Sequence, residues 1–340
     1  MATLKEIGAE LGLSVTTVSR ALNGFPEVSE ATRAKVQEAA DKLGYRPNRI
    51  AQRLVTGRSG MVGMIVKIKP DMSADQTFFE ILTGLTAALS ARETDLVLAV
   101  DQENDPILSY KKLLERDILD GFILNAPVIN DPRVDFLRER GIPFVLHGRD
   151  RPEPDYPTYG IDNTAVSADS VKLLSQLGHK RIGLINGELS AAHANDRLAG
   201  FKTSMAVLGL NADAVRNEAS LESHGYIQAL DLLSQPNPPT AFICATTLIA
   251  SGVMRAVRDR GLTVPDDVSI MAHDDALPLT RAINFEPALT VTRAPLRDAC
   301  EPLANILIDH LNGTPARDLQ VVLNAELIVR GSTGPAPKEE

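Results

Sequence analysis

Val15, Thr16, Ser19 and Arg20 are spaced so that one α-helix carries all four on a single face. They are small, hydroxylated or basic. Such a face fits a DNA major groove, where threonine, serine and arginine hydrogen-bond base edges and phosphates. The same helix turns Val18, Ala21 and Leu22 to the other side, and Ser14 is placed to cap its start. Before it, Leu4, Ile7 and Leu11 share one helical face, Thr3 and Glu6 fit a capping box, and Gly12 is placed to end the helix. Two short helices joined by a turn that holds a glycine make a helix-turn-helix. On spacing alone, an ordinary helical hairpin fits as well.

Charge supports the first reading. The 340 residues carry a net charge of −9, but residues 1–58 hold nine Lys/Arg against six Asp/Glu. The remainder holds 26 against 38, so a basic head of +3 precedes an acidic body of −12. Catalytic classes find little footing. No G-x-G-x-x-G follows a strand and no P-loop lysine motif occurs, so a phosphate cradle is missing. No serine lies in a nucleophile elbow, and the six histidines lack metal-ligand spacing. His273, beside Asp274 and Asp275, is expected as an exposed histidine at a cleft edge. Cys244 and Cys300 are too few and isolated for a disulfide framework and are expected reduced, in a cytoplasmic protein. The opening helix does not read as a signal peptide, and no apolar run is long enough to cross a bilayer.

Further along, Val28 and Ser29 offer a staple residue and a cap for a third helix cored by Val36, Ala40 and Leu43, and Gly44 stops it. Tyr45-Arg46-Pro47-Asn48 breaks the pattern, Arg49–Leu54 is a short amphipathic piece, and residues 56–60 form a linker. From Met61 apolar runs alternate with helical patterns, the mark of α/β structure. Strands are predicted at 61–66, 95–100, 121–125 and 143–146, and again at 181–185, 241–245, 268–272 and 290–292. The two series predict two lobes of parallel sheet flanked by helices, with a ligand cleft beyond the carboxyl ends of the strands. The predicted organisation is therefore an all-α head at 1–46, hinge and linker at 47–60, a two-lobed body at 61–330, and a disordered tail rich in Pro, Gly and charge at 331–340.

Residues 3 to 58 resemble the DNA-binding headpiece of the lactose/galactose repressor family. Thr3–Ile7, Leu13–Asn23, Val28-Ser29, Thr32-Arg33 and Leu43–Asn48 carry the likeness. The body resembles the same family's ligand-binding core, itself similar to periplasmic sugar-binding proteins. Here the matching runs are Thr77–Glu80, Asp162-Asn163, Leu177–Ile182, Arg197–Phe201, Val264–Ile270 and Asp274-Asp275. The resemblance implies DNA contacts from Ser14, Val15, Thr16, Thr17, Ser19, Arg20, Asn23 and Asn48. It implies a hinge that folds on DNA, with Leu54 laid into the minor groove and Ala51 small enough for two hinges to approach. Phe79, His147, Arg197, Thr246 and Asp274 are the implied effector contacts.

Three departures from the family pattern bear on the ligand. Thr246-Thr247 replaces a common Asn-Asp pair, His147-Gly148-Arg149 stands where an aspartate often ends the strand, and Arg293 replaces an aromatic. The stretches Asp131–Val134 and Pro143–Arg149 look like those of regulators of α-glucoside utilisation. The expectation is a cytoplasmic, homodimeric regulator without cofactor, metal, membrane segment or enzymatic activity. It binds double-stranded, pseudo-palindromic operator DNA and represses a sugar operon under control of a sugar or glucoside. The alternative is a sugar-binding or sugar-processing protein whose N-terminal helices serve dimerisation.

Overall fold

The structure is a computed structural model that describes residues 2–45, 58–67, 76–101 and 105–338. The hinge positions Asn48, Ala51 and Leu54 lie outside the described residues. The chain divides into two compact units, Met1–Gly60 and Met61–Glu340.

The first unit holds three helices, Leu4–Leu11, Val15–Leu22 and Glu30–Lys42. Thr3 and Glu6 close the capping box, and Gly12 ends the first helix in the left-handed region at φ 65°. Ser14 and Ser29 cap the next two by accepting from the Thr17 and Thr32 N–H groups, each cap contributing about 1 kcal/mol. Ile7, Val18, Ala21, Val28, Val36, Ala39 and Ala40 form the core. Gly8 permits the close approach of the first helix to the turn, since a Cβ there would stand 2.7 Å from the Leu13 carbonyl oxygen.

The second unit contains two six-stranded sheets. Lobe 1 orders its strands β11-β5-β4-β3-β1-β2, and lobe 2 orders them β12-β10-β9-β8-β6-β7. In chain order these are β1 Met61–Lys67, β2 Asp95–Asp101, β3 Gly121–Leu124, β4 Phe144–His147, β5 Thr158–Ile161 and β6 Ile182–Asn186. There follow β7 Val215–Asn217, β8 Ala241–Cys244, β9 Ser269–Asp274, β10 Thr290–Arg293, β11 Gln320–Leu323 and β12 Glu326–Ile328. Every pairing is parallel except β10 with β12. The central strands β3, β6, β8 and β9 are buried along their whole length, as sheets covered on both faces require. All eight predicted strands are present. β5, β7, β11, β12 and the helix Pro132–Glu139 are additional to the prediction.

The chain passes between lobes three times, after Ile161, after Arg293 and after Leu323. The second crossing sends the helix Leu296–Leu311 back to lobe 1, where it packs on the helix Gln76–Ser90. Residues at the carboxyl ends of strands from both lobes approach one another, since His147 at the end of β4 interacts electrostatically with Asp275 just after β9.

The tail departs from expectation. Residues 331–338 are packed against lobe 2, and Ser332 is completely buried. Its hydroxyl accepts from the Thr290 N–H at 2.8 Å and donates to the Ile270 carbonyl at 2.6 Å, while its own carbonyl accepts from the Ile270 N–H at 2.8 Å. Beyond it, the Gly334 carbonyl accepts from His179 at 3.1 Å and the Ala336 N–H reaches the Leu177 carbonyl at 2.8 Å. Pro and Gly composition argues against a helix or an isolated strand. It does not oppose a strap that satisfies the buried polar groups at the starts of β9 and β10.

Candidate functional site

In the first unit, Ser14, Val15, Thr16 and Arg20 are exposed, with Val15 at 47%. Thr17 and Ser19 are half-buried and Val18 is fully buried, so the amphipathic division expected of a recognition helix is present. Ser14 and Thr17 spend their hydroxyls partly on each other, 2.8 Å apart at the cap. Asn23 turns inward: its amide donates to the Ser19 carbonyl at 2.8 Å as the helix ends. The outward hydrogen-bonding set is therefore Thr16 and Arg20, with Ser19 at its edge.

In the second unit, a polar group gathers at the carboxyl ends of the strands. His147 ends β4 in lobe 1, and its Nδ1 lies 3.0 Å from Oδ1 of Asn125, the residue following β3. From lobe 2, Arg197 rises on the helix Ala192–Val207 and is only 7% exposed. Its Nε donates to Asn163 Oδ1 at 2.9 Å and its Nη1 to the Ala245 carbonyl at 2.8 Å, tying the first crossing to the end of β8. His193 precedes it by one helical turn, open to water although protein surrounds it. His273 and Asp274 end β9, and Asp275 follows on the turn.

The two aspartates have different duties. Asp274 is 4% exposed; its Oδ1 accepts from the Ala276 N–H at 2.8 Å, and its Oδ2 stands 3.7 Å from Arg293 Nε. Asp275 interacts electrostatically with His147, His193, Arg197 and His273. Burial raises its carboxyl, but the hydrogen bond and charge of His273, then Arg197 and His193, outweigh burial and hold it below the ordinary value. Burial pushes His147 down to about 4, with the Asp275 charge opposing. His193 is likewise pushed to about 4, first by its enclosure and then by Arg197. Both rings are uncharged at neutral pH. His273 is 3% exposed, lies 3.1 Å from the Thr292 hydroxyl and 3.5 Å from Asp275, and is a buried strand residue rather than an exposed cleft-edge one. Among the described residues no group of three His, Cys, Asp or Glu is placed to hold a metal ion.

Four of the five sequence-selected contacts thus lie at or beside this group. Thr246, next to Ala245, caps the helix Thr247–Asp259 by accepting from the Ile249 N–H. Phe79, early in the helix Gln76–Ser90, is half exposed with its ring edge-on to Phe78. Sequence reasoning missed His193, Asp275, Asn125 and Asn163. His193 had a signal, since it stands four residues before Arg197 and so on the same helical face.

The lobes touch across the cleft. Val128 of lobe 1 forms an isolated antiparallel bridge with Ala191 of lobe 2, and the Ala192 N–H reaches the Pro127 carbonyl at 3.0 Å. Arg149 Nε donates to Asp196 Oδ2 at 3.1 Å, and the Leu279 N–H to Gln76 Oε1 at 2.9 Å. Behind the lobe 1 loops, buried Asp131 accepts from the Val128 N–H and from Arg133, and its own N–H bonds buried Asp150 at 2.8 Å. Arg151 and Tyr156 complete the hydrogen bonding of Asp150. This network fixes the loops that present Asn125 and His147.

Residues 3–48 match bacterial regulatory proteins of the lacI family, and residues 171–333 match a periplasmic binding protein-like domain. Over 337 residues the chain is 42% identical to the HTH-type transcriptional regulator AglR of Rhizobium meliloti (strain 1021), spanning 98% of this chain and 95% of that one. The chain belongs to the lacI family of bacterial regulatory proteins. Like its relatives in that family, it is a helix-turn-helix transcriptional regulator. Among solved structures, the transcriptional regulator CelR–cellobiose complex is 28% identical with a TM-score of 0.71, over 98% of this chain and all (100%) of that one. The lac repressor dimer bound to operator and the anti-inducer ONPF shares the fold, with a TM-score of 0.79 at 24% identity over 98% of this chain and 99% of that one. No helix among the described residues is long and apolar enough to cross a membrane.

Proposed function

We propose that this lacI-family regulator represses a sugar-utilisation operon as a cytoplasmic homodimer on a pseudo-palindromic operator. An α-glucoside-like sugar, bound between the lobes near His147, Arg197 and Asp275, controls it. The presence of two features in one chain supports the reading. A capped helix with an outward Val15–Thr16–Arg20 face forms one compact unit, and a cleft rich in hydrogen-bonding groups lies between the lobes of the other. The cellobiose held by a structural relative favours a disaccharide as effector. A modestly basic head binds DNA weakly alone, and pairing two heads in a homodimer raises the avidity. The family is one of regulators, and the chemistry of the cleft is read as recognition rather than catalysis.

Arg20→Ala tests the DNA half. It is expected to weaken specific operator binding by about 1–3 kcal/mol, roughly 5- to 150-fold, in an anisotropy titration at physiological salt. Sugar-induced stabilisation of the body stays at the wild-type value. Undiminished operator affinity in Arg20→Ala removes this helix from the interface.

A further inference from the structure

We propose that Arg149 and Asp196 form a charge latch that holds the two lobes of the body together, so that the lobes part when this pair breaks and part more readily as salt rises. The latch governs the body's own motion and does not depend on what the cleft binds.

An ion pair whose side chains are 27% and 31% exposed holds little unless both partners are already in place. Here both are. Arg149 extends from lobe 1 between two fixed neighbours. Gly148, at φ 99°, donates its N–H to the Tyr159 carbonyl at 2.8 Å, and its own carbonyl accepts from the Thr158 hydroxyl. Asp150, 2% exposed, accepts at its carbonyl from the Asn130 N–H at 3.0 Å and at its carboxylate from the Asp131 N–H at 2.8 Å. Asp196 lies in lobe 2 between Asn195, whose amide donates to the Leu189 and Ala191 carbonyls, and Arg197, bonded to Asn163 and Ala245. Much of the ordering cost of the pair is thus met by contacts already made around each partner. Across the cleft Arg149 Nε donates to Asp196 Oδ2 at 3.1 Å, and Nη2 comes within 4.0 Å of Asp162, on the first crossing between lobes.

The latch shares its platform with a main-chain bond. A Cβ on Gly148 would stand 3.3 Å from Pro127 Cγ, so the backbone that carries Arg149 packs on Pro127. The Pro127 carbonyl accepts from the Ala192 N–H of lobe 2 at 3.0 Å, beside the Val128–Ala191 bridge. The two contacts therefore open together. Ala192 is the first residue of its helix, where no carbonyl of that helix is available to the N–H, so its protection from exchange comes from lobe 1. Its exchange rate reports the parting of the lobes.

Hydrogen exchange of the full-length protein without added sugar, resolved to single amides, tests this. Phe122 and Leu184, whose N–H groups bond the Pro143 and Ala214 carbonyls within one lobe, serve as references. Relative to them, Arg149→Gln is expected to speed Ala192 exchange about two- to fivefold. Asp196→Asn acts in the same direction, and the double variant exchanges no faster than Arg149→Gln, because both substitutions break one contact. In the wild type, raising NaCl from about 0.05 to about 1 M speeds Ala192 roughly twofold, whereas Arg149→Gln does not respond to salt. Wild-type exchange at Ala192 in Arg149→Gln, or additive effects of the two substitutions, overturns the proposal. If Arg149→Gln speeds Phe122 and Leu184 as much as Ala192, the variant has lost its fold and the wild-type salt titration decides: Ala192 exchange that is indifferent to salt overturns the latch.

Discussion

Replacing Arg197 by alanine abolishes sugar-induced stabilisation and lowers the stability of the body by about 2–5 kcal/mol. Two costs add. The side chain is 7% exposed and bonds Asn163 Oδ1 and the Ala245 carbonyl, so truncation leaves two acceptors in an enclosed place without their donor. It also removes the positive charge that helps keep Asp275 ionised and His193 neutral, which changes the hydrogen-bonding character of the cleft. Arg197→Lys restores the charge but not the planar fork, and is expected to recover part of the stability and little of the sugar response. Operator binding by the sugar-free protein is expected to survive in both, because the helix proposed to contact DNA belongs to the other compact unit. Differential scanning fluorimetry with and without sugar is the check. A full sugar-induced shift in Arg197→Ala removes this residue from the site.

Acid has the second large effect. His147, His193, His179 and His273 are all held below the ordinary histidine value, chiefly by burial, except that His193 is shifted by the protein surrounding a ring that water still reaches. Unfolded, these groups take up protons near pH 6.5, whereas folded His147 and His193 resist until about 4. The unfolded state therefore binds more protons in this window, so stability is complete above about pH 7 and falls as pH drops from 6.5 towards 4. His147 alone accounts for about 3 kcal/mol at the bottom of the window. His193 contributes less, because water reaches its ring. His179, donating to Gly334 and 2.9 Å from the Thr240 hydroxyl, couples the tail strap to the same titration. Melting temperatures from pH 7.5 to 4.5 should decline steadily, and His147→Gln should show a shallower decline. A flat or rising profile contradicts the assignment of neutral buried rings.

The residues show why the sequence was legible in some places and opaque in others. The head was readable in detail because its signals are local: Thr3 with Glu6, Gly12, Ser14 and Ser29 each act on a neighbour within four residues. The eight predicted strands were visible because buried parallel strands are short apolar runs. β11 and β12 escaped because they are largely exposed edge strands whose pairing is non-local, β11 adding to β5 more than 150 residues earlier. The helix Pro132–Glu139 had its sign in plain view, Asp131 as cap and Pro132 in the first turn. At the site, adjacent Asp274 and Asp275 carry the same chemistry in sequence. A single turn after β9 decides that one carboxylate folds back on Ala276 while the other joins the histidines. No local pattern encodes that choice.

A ligand held in the body is proposed to change how the head holds a specific DNA sequence. The cross-cleft contacts of Val128 with Ala191, Arg149 with Asp196 and Gln76 with Leu279 are the places where an occupant of the cleft bears on both lobes. The most direct measurement is anisotropy titration of the wild-type protein on operator DNA and on a scrambled duplex, at fixed physiological salt, with and without the sugar that binds it best. The sugar is expected to change operator affinity by about 5- to 150-fold and to leave the weak binding to scrambled DNA unaltered. Equal affinity for the two duplexes, or a sugar effect of the same size on both, contradicts sugar control of specific operator binding.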